Sequence, residues 1–169
     1  MTLPTFEMLV DAYSAELFAY LVRILREAGD AQDCLQEAYL RAYRAYPRLD
    51  ARANVRAWLY RIATNLAFTQ LRRRRREADW QVRADEHQAA ADASTAGRAI
   101  RRLVLARLAA AVERLPAQQR AALVLRRYQG LSYGEVAAAL GGTEAAARAN
   151  VYQALQKLRE EFGDEELDF

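Results

Sequence analysis

LSYGEVAAALGGTEAAARAN, residues 131–150, reads as two helices joined by a glycine turn. Ser132 followed by Glu135 has the spacing of a capping box: a hydroxyl takes one free backbone N–H, and a carboxylate three residues on takes another. Val136, Ala137 and Leu140 supply an apolar side. Gly141-Gly142 then stops the helix, because glycine accepts positive φ. Thr143 is a second N-cap, opening a helix that can run to about Glu160. A short capped helix, a turn of about three residues and a longer helix match a helix-turn-helix. An ordinary helical hairpin has the same outline.

The second of these helices has two unlike sides. Ala147, Val151, Ala154, Leu155, Leu158 and Phe162 fall on one. Ala145, Ala149, Tyr152, Gln153 and Gln156 fall on the other, flanked by Arg148 and Asn150. Small residues permit close approach to a groove, and Asn, Gln and Arg form paired hydrogen bonds with base edges. The plainer alternative is a solvated helix face.

Charge along the chain supports a polyanionic partner. Residues 1–76 carry a net +5, 77–97 a net −4, 98–159 a net +8 and 160–169 a net −6. Two basic blocks separated by an acidic segment predict two modules that meet a polyanion, joined by one that does not. Lys157 is the only lysine, so nearly all the positive charge is guanidinium, suited to bidentate contact with phosphate or guanine. Cys34 is the sole cysteine, which excludes an internal disulfide and fits a reducing compartment. The most apolar stretch, Leu17 to Leu25, is short and contains Arg23, so neither a signal peptide nor a membrane span is expected and the protein is read as cytoplasmic.

Alanine, leucine and arginine dominate, and the expected fold is all-α. It comprises two small helical domains joined by a flexible linker, the C-terminal one a helix-turn-helix of winged-helix-like or four-helix type. The domains are drawn at 1–76 and 98–162, with a linker at 77–97 and an acidic tail at 163–169; each is expected to bury its own core. Helical spacing of Phe6, Leu9, Val10, Tyr13, Leu17, Tyr20, Leu21 and Ile24 predicts a first helix from about Thr5 to Glu27. Gly29 and Asp30 are read as the break, followed by a second helix from Ala31 to Tyr46 that Pro47 ends. A third starts near Ala53 or Asn54 and reaches the arginines at 72–76. Further helices are expected at 98–114 and 117–128, the latter with Pro116 at its start.

The third helix carries an expected core stripe of Val55, Leu59, Ile62 and Leu66. It carries a second stripe of Arg61, Asn65, Phe68 and Arg72, with Trp58 on the border. Guanidinium, amide and aromatic groups together suit unpaired nucleic acid, where bases stack on rings and the backbone meets arginines. Arg72 to Arg76 follows, five cations that repel unless an anion neutralises them, or that sit at a helix end near its negative pole. On the second helix Asp33, Gln36, Glu37, Leu40 and Arg44 form an outward face too acidic for DNA. It reads as a protein-docking face or as plain surface. His87 stands alone in the linker. No pattern for a metal, a cofactor or catalysis is found, and no enzyme activity is expected.

These residues together resemble a bacterial RNA polymerase sigma factor, in the two-domain extracytoplasmic-function group of the sigma-70 family. The likeness covers nearly the whole chain. Asp30-Ala31-Gln32-Asp33 and Gln36 to Tyr43 are similar to the segment that grips the polymerase clamp. Trp58-Leu59-Tyr60-Arg61-Ile62-Ala63-Thr64-Asn65 is similar to the helix that engages the melted minus-ten element. Leu115-Pro116-Ala117-Gln118-Gln119-Arg120 and Leu131–Leu140 are similar to the domain that reads the minus-35 element.

The resemblance implies that Asp33, Gln36, Glu37 and Leu40 contact core polymerase. It implies that the loop Leu49, Asp50, Ala51, Arg52 and Ala53 receives a flipped minus-ten base, and that Arg61, Asn65, Phe68, Arg72, Arg73 and Trp58 belong to that interface. Base extrusion costs a few kcal/mol, so a preformed pocket would help to start strand opening. Thr143, Arg148, Ala149, Asn150, Tyr152 and Gln153 fall at minus-35 positions. Asn150 and Gln153 depart from the arginines common there, and the loop Leu49–Ala53 lacks the usual glycine. Promoter DNA, core polymerase and an anti-sigma factor are the implied partners. The other readings are a stand-alone helix-turn-helix regulator and a helical adaptor for an acidic protein.

The twenty residues 78–97 reach roughly 70 Å when extended at ~3.5 Å per residue, comparable to about 20 base pairs at ~3.4 Å per step. As a coil they average only ~25 Å, which also permits a compact form.

Overall fold

A computed structural model describes residues 3–81 and 106–163, with the side chains of 79–81 left out. All regular structure in these residues is helical. In order they form α1 (Phe6–Leu25), α2 (Ala28–Ala45), a 3-10 turn (Tyr46–Arg48), α3 (Val55–Gln81), α4 (described over 106–114), α5 (Ala117–Arg127), α6 (Tyr133–Leu140) and α7 (Glu144–Phe162). With no strand among the described residues to make a wing, α4–α7 is the four-helix type. The linker from residue 82, His87, the first part of the expected 98–114 helix and the tail beyond Gly163 lie outside the described residues. No helix in the described residues is long and apolar enough to cross a membrane.

Capping fixes most helix starts. The Thr5 hydroxyl accepts from the Met8 N–H, and Asn54 Oδ1 accepts from the Ala57 N–H at 3.0 Å, so α3 opens where an amide cap was available. The break between α1 and α2 falls earlier than Gly29-Asp30. Arg26 takes the left-handed conformation (φ 69°), and its N–H closes on the Val22 carbonyl. Glu27 then caps α2 by accepting from the Asp30 N–H at 2.9 Å. Gly29 sits inside the first turn, where a Cβ would come within 3.0 Å of Glu27 Oε2; its missing side chain leaves room for the cap. The helix α3 also runs on to Gln81, so residues 77–81 are helix rather than linker.

On α3 the most buried residues are Ala57, Leu59, Tyr60, Ala63, Thr64 and Ala67, whereas Val55, Ile62 and Leu66 of the expected core stripe are only half-buried. The reason is that α3 packs against α1 and α2 on one side and α6 on another. Ala63 and Ala67 share one side, where the Ala63 carbonyl meets Cys34 of α2, while the larger residues form a second apolar side. Tyr20 and Tyr60 meet edge to face at 5.2 Å, and the Tyr20 hydroxyl bonds Thr64 Oγ1 at 2.7 Å. Burial pushes the Tyr20 pKa up, and the Thr64 bond only partly opposes this.

The buried side chains form one contiguous cluster, from Leu17 on α1 through Leu59 on α3 to Leu125, Val136 and Leu158. The expectation of two separate cores is therefore corrected: the N- and C-terminal helices share one. Polar contacts across the junction reinforce it. Arg56 donates to the Gln129 carbonyl at 2.8 Å while holding Glu16 through two bonds of 2.9 Å. Asn54 Nδ2 donates to Glu135 at 2.9 Å, Arg26 pairs with Glu113, and Arg23 lies over the Tyr128 ring at 4.9 Å.

Cys34 is buried on α2, and burial raises its thiol pKa to about 11. Alkylation with iodoacetamide at pH 8 is expected to be negligible in the folded protein and to go to completion in denaturant, read by intact mass. Labelling of the native chain at the rate of a free thiol would contradict the burial.

A candidate nucleic-acid and polymerase interface

The outward stripe of α3 stays outward. Arg61, Asn65 and Arg72 are exposed and Phe68 is half-buried beside them, so the closed arrangement does not cover this face. The main chain of Asn65 anchors its neighbours. Thr69 Oγ1 donates to the Asn65 carbonyl at 2.8 Å and accepts from Arg72 Nη2 at 3.0 Å, leaving the Asn65 amide on the surface. Trp58 is half-buried, its ring 6.2 Å from Tyr46, which stacks edgewise on Phe6 at 5.5 Å.

The loop Leu49–Ala53 begins at the end of that aromatic row. Asp50 organises it, Oδ1 accepting from the Arg52 N–H at 2.7 Å and its carbonyl from the Ala53 N–H at 2.9 Å. Asp50, Ala51 and Arg52 are exposed, Leu49 and Ala53 half-buried. A turn built this way holds its shape without glycine.

The arginine run is not five equivalent cations. Arg74 donates to the Leu25 carbonyl at 3.0 Å and pairs with Asp30, so it ties α3 to the α1–α2 corner. Arg73 bonds Glu77 at 2.7 Å on the exposed side. Arg72, Arg75 and Arg76 are exposed. Of the two alternatives for this run, neutralising anions are supplied within the protein for Arg73 and Arg74, and the helix-end alternative is corrected, since α3 runs on to Gln81.

On α2, Asp33, Gln36 and Leu40 are exposed, Leu40 at 53%, and Glu37 is half-buried with a 2.6 Å bond to Arg41. Tyr43, 62% exposed, extends the apolar part of this face, a residue the sequence pattern did not single out. Exposed leucine and tyrosine beside carboxylates form a surface suited to a protein rather than to DNA.

The helix-turn-helix has the expected geometry. Ser132 and Glu135 form a reciprocal capping box, Gly141 takes φ 70° at the end of α6, and the Thr143 hydroxyl caps α7 by accepting from the Ala146 N–H at 3.2 Å. Arg148, Ala149, Tyr152 and Gln153 are exposed, and Asn150 is half-buried. Arg148 is held twice, by Glu144 at 2.6 Å and over the Tyr133 ring at 4.3 Å. Gln153 accepts from Gln119 Nε2 at 2.8 Å, and Tyr152 accepts from Gln156 Nε2 at 2.6 Å. The Gln156 contact follows from its place one turn beyond Tyr152, whereas nothing in spacing links residue 119 to 153.

Three donors, the Ser132 backbone N–H first, then the Asn54 amide and the Ser132 hydroxyl, hold the Glu135 carboxyl below the usual carboxylate range. Its folded pKa is depressed, so its stabilisation is complete above an ordinary glutamate pKa of ~4.3 and is lost as pH falls through the folded value. A Glu135→Gln variant should therefore show less loss of stability than wild type between pH 5 and pH 3, measured by urea unfolding. Equal acid sensitivity would contradict this.

Comparison with known proteins gives concordant likenesses. A family model described as Sigma-70 region 2 matches residues 9–77, and one described as Sigma-70, region 4 matches residues 105–158. The chain is 32% identical to the RNA polymerase sigma-H factor of Pseudomonas aeruginosa, over 90% of this chain and 83% of that one. It is 30% identical to the RNA polymerase sigma factor CarQ of Myxococcus xanthus, over 96% and 92%. Among solved structures it is similar to the sigma factor RpoE of Bartonella quintana, in complex with the anti-sigma factor NepR (TM-score 0.73, 23% identity, 97% and 98% covered). It is also similar to CnrH in complex with the cytosolic domain of CnrY (TM-score 0.67, 25% identity, 93% and 86% covered).

Proposed function

The chain belongs to the extracytoplasmic-function group of the sigma-70 family, and on that premise we propose how its surfaces share the work of directing RNA polymerase to promoters. Residues 1–76 form the part that docks on core polymerase and opens the minus-ten element, and residues 98–162 the part that reads the minus-35 element. Asp33, Gln36, Glu37 and Leu40, joined by Tyr43, dock on polymerase. The loop Leu49–Ala53 takes an extruded base, with Trp58 and Phe68 offering rings and Arg61, Asn65, Arg72 and Arg73 meeting the separated strand. Thr143, Arg148, Ala149, Asn150, Tyr152 and Gln153 face the minus-35 groove. As a member of this family the chain acts as an initiation factor in the cytoplasm, with chemistry left to the polymerase.

The observation that carries this reading is the exposure of Arg61 and Asn65 on a helix that buries its other sides. A duplex-binding regulator has no use for such a stripe, nor for the acidic face of α2. The likeness to RpoE, seen with the anti-sigma factor NepR, supports an anti-sigma factor as a protein partner. The shared core implies a resting form that must open. Asn54 touches Glu135, so the minus-ten loop lies beside the helix-turn-helix. Promoter elements ~20 base pairs apart are separated by ~68 Å at ~3.4 Å per step.

The test is transcription with core polymerase on a promoter library, reading transcript starts. Asn65→Ala should cut open-complex formation about tenfold, the scale of one lost base contact, with core binding unchanged. No promoter-dependent initiation by wild type would reject the assignment of surfaces, and equal loss of core binding by Asn65→Ala would reject its role.

A further inference from the structure

Resting on the reading that Gln153 faces the minus-35 groove, we infer that Gln119 is a positioning residue that turns Gln153 into a donor-only group and so selects guanine at its base pair. A free glutamine side chain is ambiguous, since its amide can present a carbonyl acceptor or an NH2 donor, or both at once to adenine. Here the ambiguity is removed. Gln119, third residue of α5, donates Nε2 to Gln153 Oε1 at 2.8 Å. That turns the Gln153 carbonyl back toward α5 and leaves both protons of Gln153 Nε2 for a partner outside the protein.

The direction of this bond follows from what is enclosed behind it. Gln119 Oε1 is buried with no hydrogen-bond partner. If both amides were reversed, the atom enclosed there would be an NH2 with two unmet protons in place of one unmet carbonyl oxygen, the costlier arrangement. The observed orientation is the lesser of the two penalties.

Neighbouring groups share the polarity. The Tyr152 oxygen accepts from Gln156 Nε2, and the Thr143 oxygen accepts from the Ala146 N–H, so each hydroxyl keeps its proton to donate outward. Arg148 has no acceptor to offer. In the major groove, two adjacent acceptors on one base, O6 and N7, mark guanine; thymine offers a single acceptor, O4, beside its methyl group, adenine pairs one acceptor with an amino group, and cytosine offers a donor. A donor-only NH2 fits guanine and is opposed by the amino groups.

The test uses the full chain assembled with core polymerase and a duplex library randomised across the minus-35 element, with bound sequences counted. Gln153→Ala locates the position that Gln153 reads. At that position wild type should favour guanine by about tenfold, the usual worth of one base pair. Gln119→Glu, close in shape, can only accept; it should turn the Gln153 carbonyl outward and shift preference to cytosine or adenine. Gln119→Met should let the amide rotate, so that adenine approaches guanine in frequency. These shifts in base identity are effects that simple loss of packing would not produce, and thermal melts of both variants check folding. If Gln153→Ala changes one position but both Gln119 variants keep the wild-type preference there, Gln119 does not position it. If Gln153→Ala changes no position, the placement of Gln153 in the groove fails, and this inference with it.

Discussion

Leu21→Ala is expected to destabilise the chain by about 2–5 kcal/mol, the cost of a large-to-small change at a buried leucine. Leu21 is fully buried on α1, within the cluster that also contains Leu125, Val136 and Leu158. For a chain of this size each kcal/mol moves the melting temperature by roughly 2–4 °C, so a drop of about 4–20 °C follows. Because the cluster is continuous, calorimetry should show one transition in both wild type and variant, with α5–α7 lost at the same temperature as α1–α3. Two resolved transitions, the upper one unmoved by Leu21→Ala, would show that the halves melt independently and that their contact is too weak to couple them.

Arg56→Ala should loosen the closed arrangement. Its guanidinium spans Glu16 and the Gln129 carbonyl, and hydrogen bonding to Glu16 raises its already high pKa further. The group is part-exposed, at 27% of its side chain, so solvent screening lowers its worth toward about 1–2 kcal/mol. A compact chain of this length has a radius of gyration of ~15 Å, and X-ray scattering should show a clear increase for the variant. Assembly on promoter DNA with core polymerase should improve several-fold, since apparent affinity is reduced by whatever fraction is not competent to bind. Expansion without improved assembly would mean that polymerase opens wild type at no cost. Weaker assembly would mean that the packed form is the one that binds.

Local chemistry was legible in the sequence, and long-range chemistry was not. Ser132–Glu135 and Thr143 announced their helices because caps act within four residues. The stripe at Arg61 and Asn65 was readable because a helix fixes which residues share a side. The α1–α2 corner misled, since Gly29 looks like a breaker while Arg26 in fact takes the left-handed turn and Glu27 supplies the cap. Ala57, Ala63 and Ala67 hid the closest packing on α3, because alanine contributes little to an apolar pattern although it permits the tightest approach. Arg56, Gln119 and Arg74 owe their roles to partners 73, 34 and 44–49 residues away; no periodicity encodes those. The shared core was missed for the same reason, being made where two helical groups meet.

The divided fate of the arginine run bears on ionic strength. Each phosphate neutralised by a protein cation releases condensed counterions, giving a slope in log K against log salt of about −0.7 per contact for single strands. Counting Arg72 to Arg76 from the sequence assigns five such contacts. Arg74 is committed to Asp30 and the Leu25 carbonyl, and Arg73 would first have to leave Glu77. Titration with potassium chloride should therefore give a shallower dependence than five free cations demand. Arg74→Ala should cost thermal stability while leaving that slope unchanged.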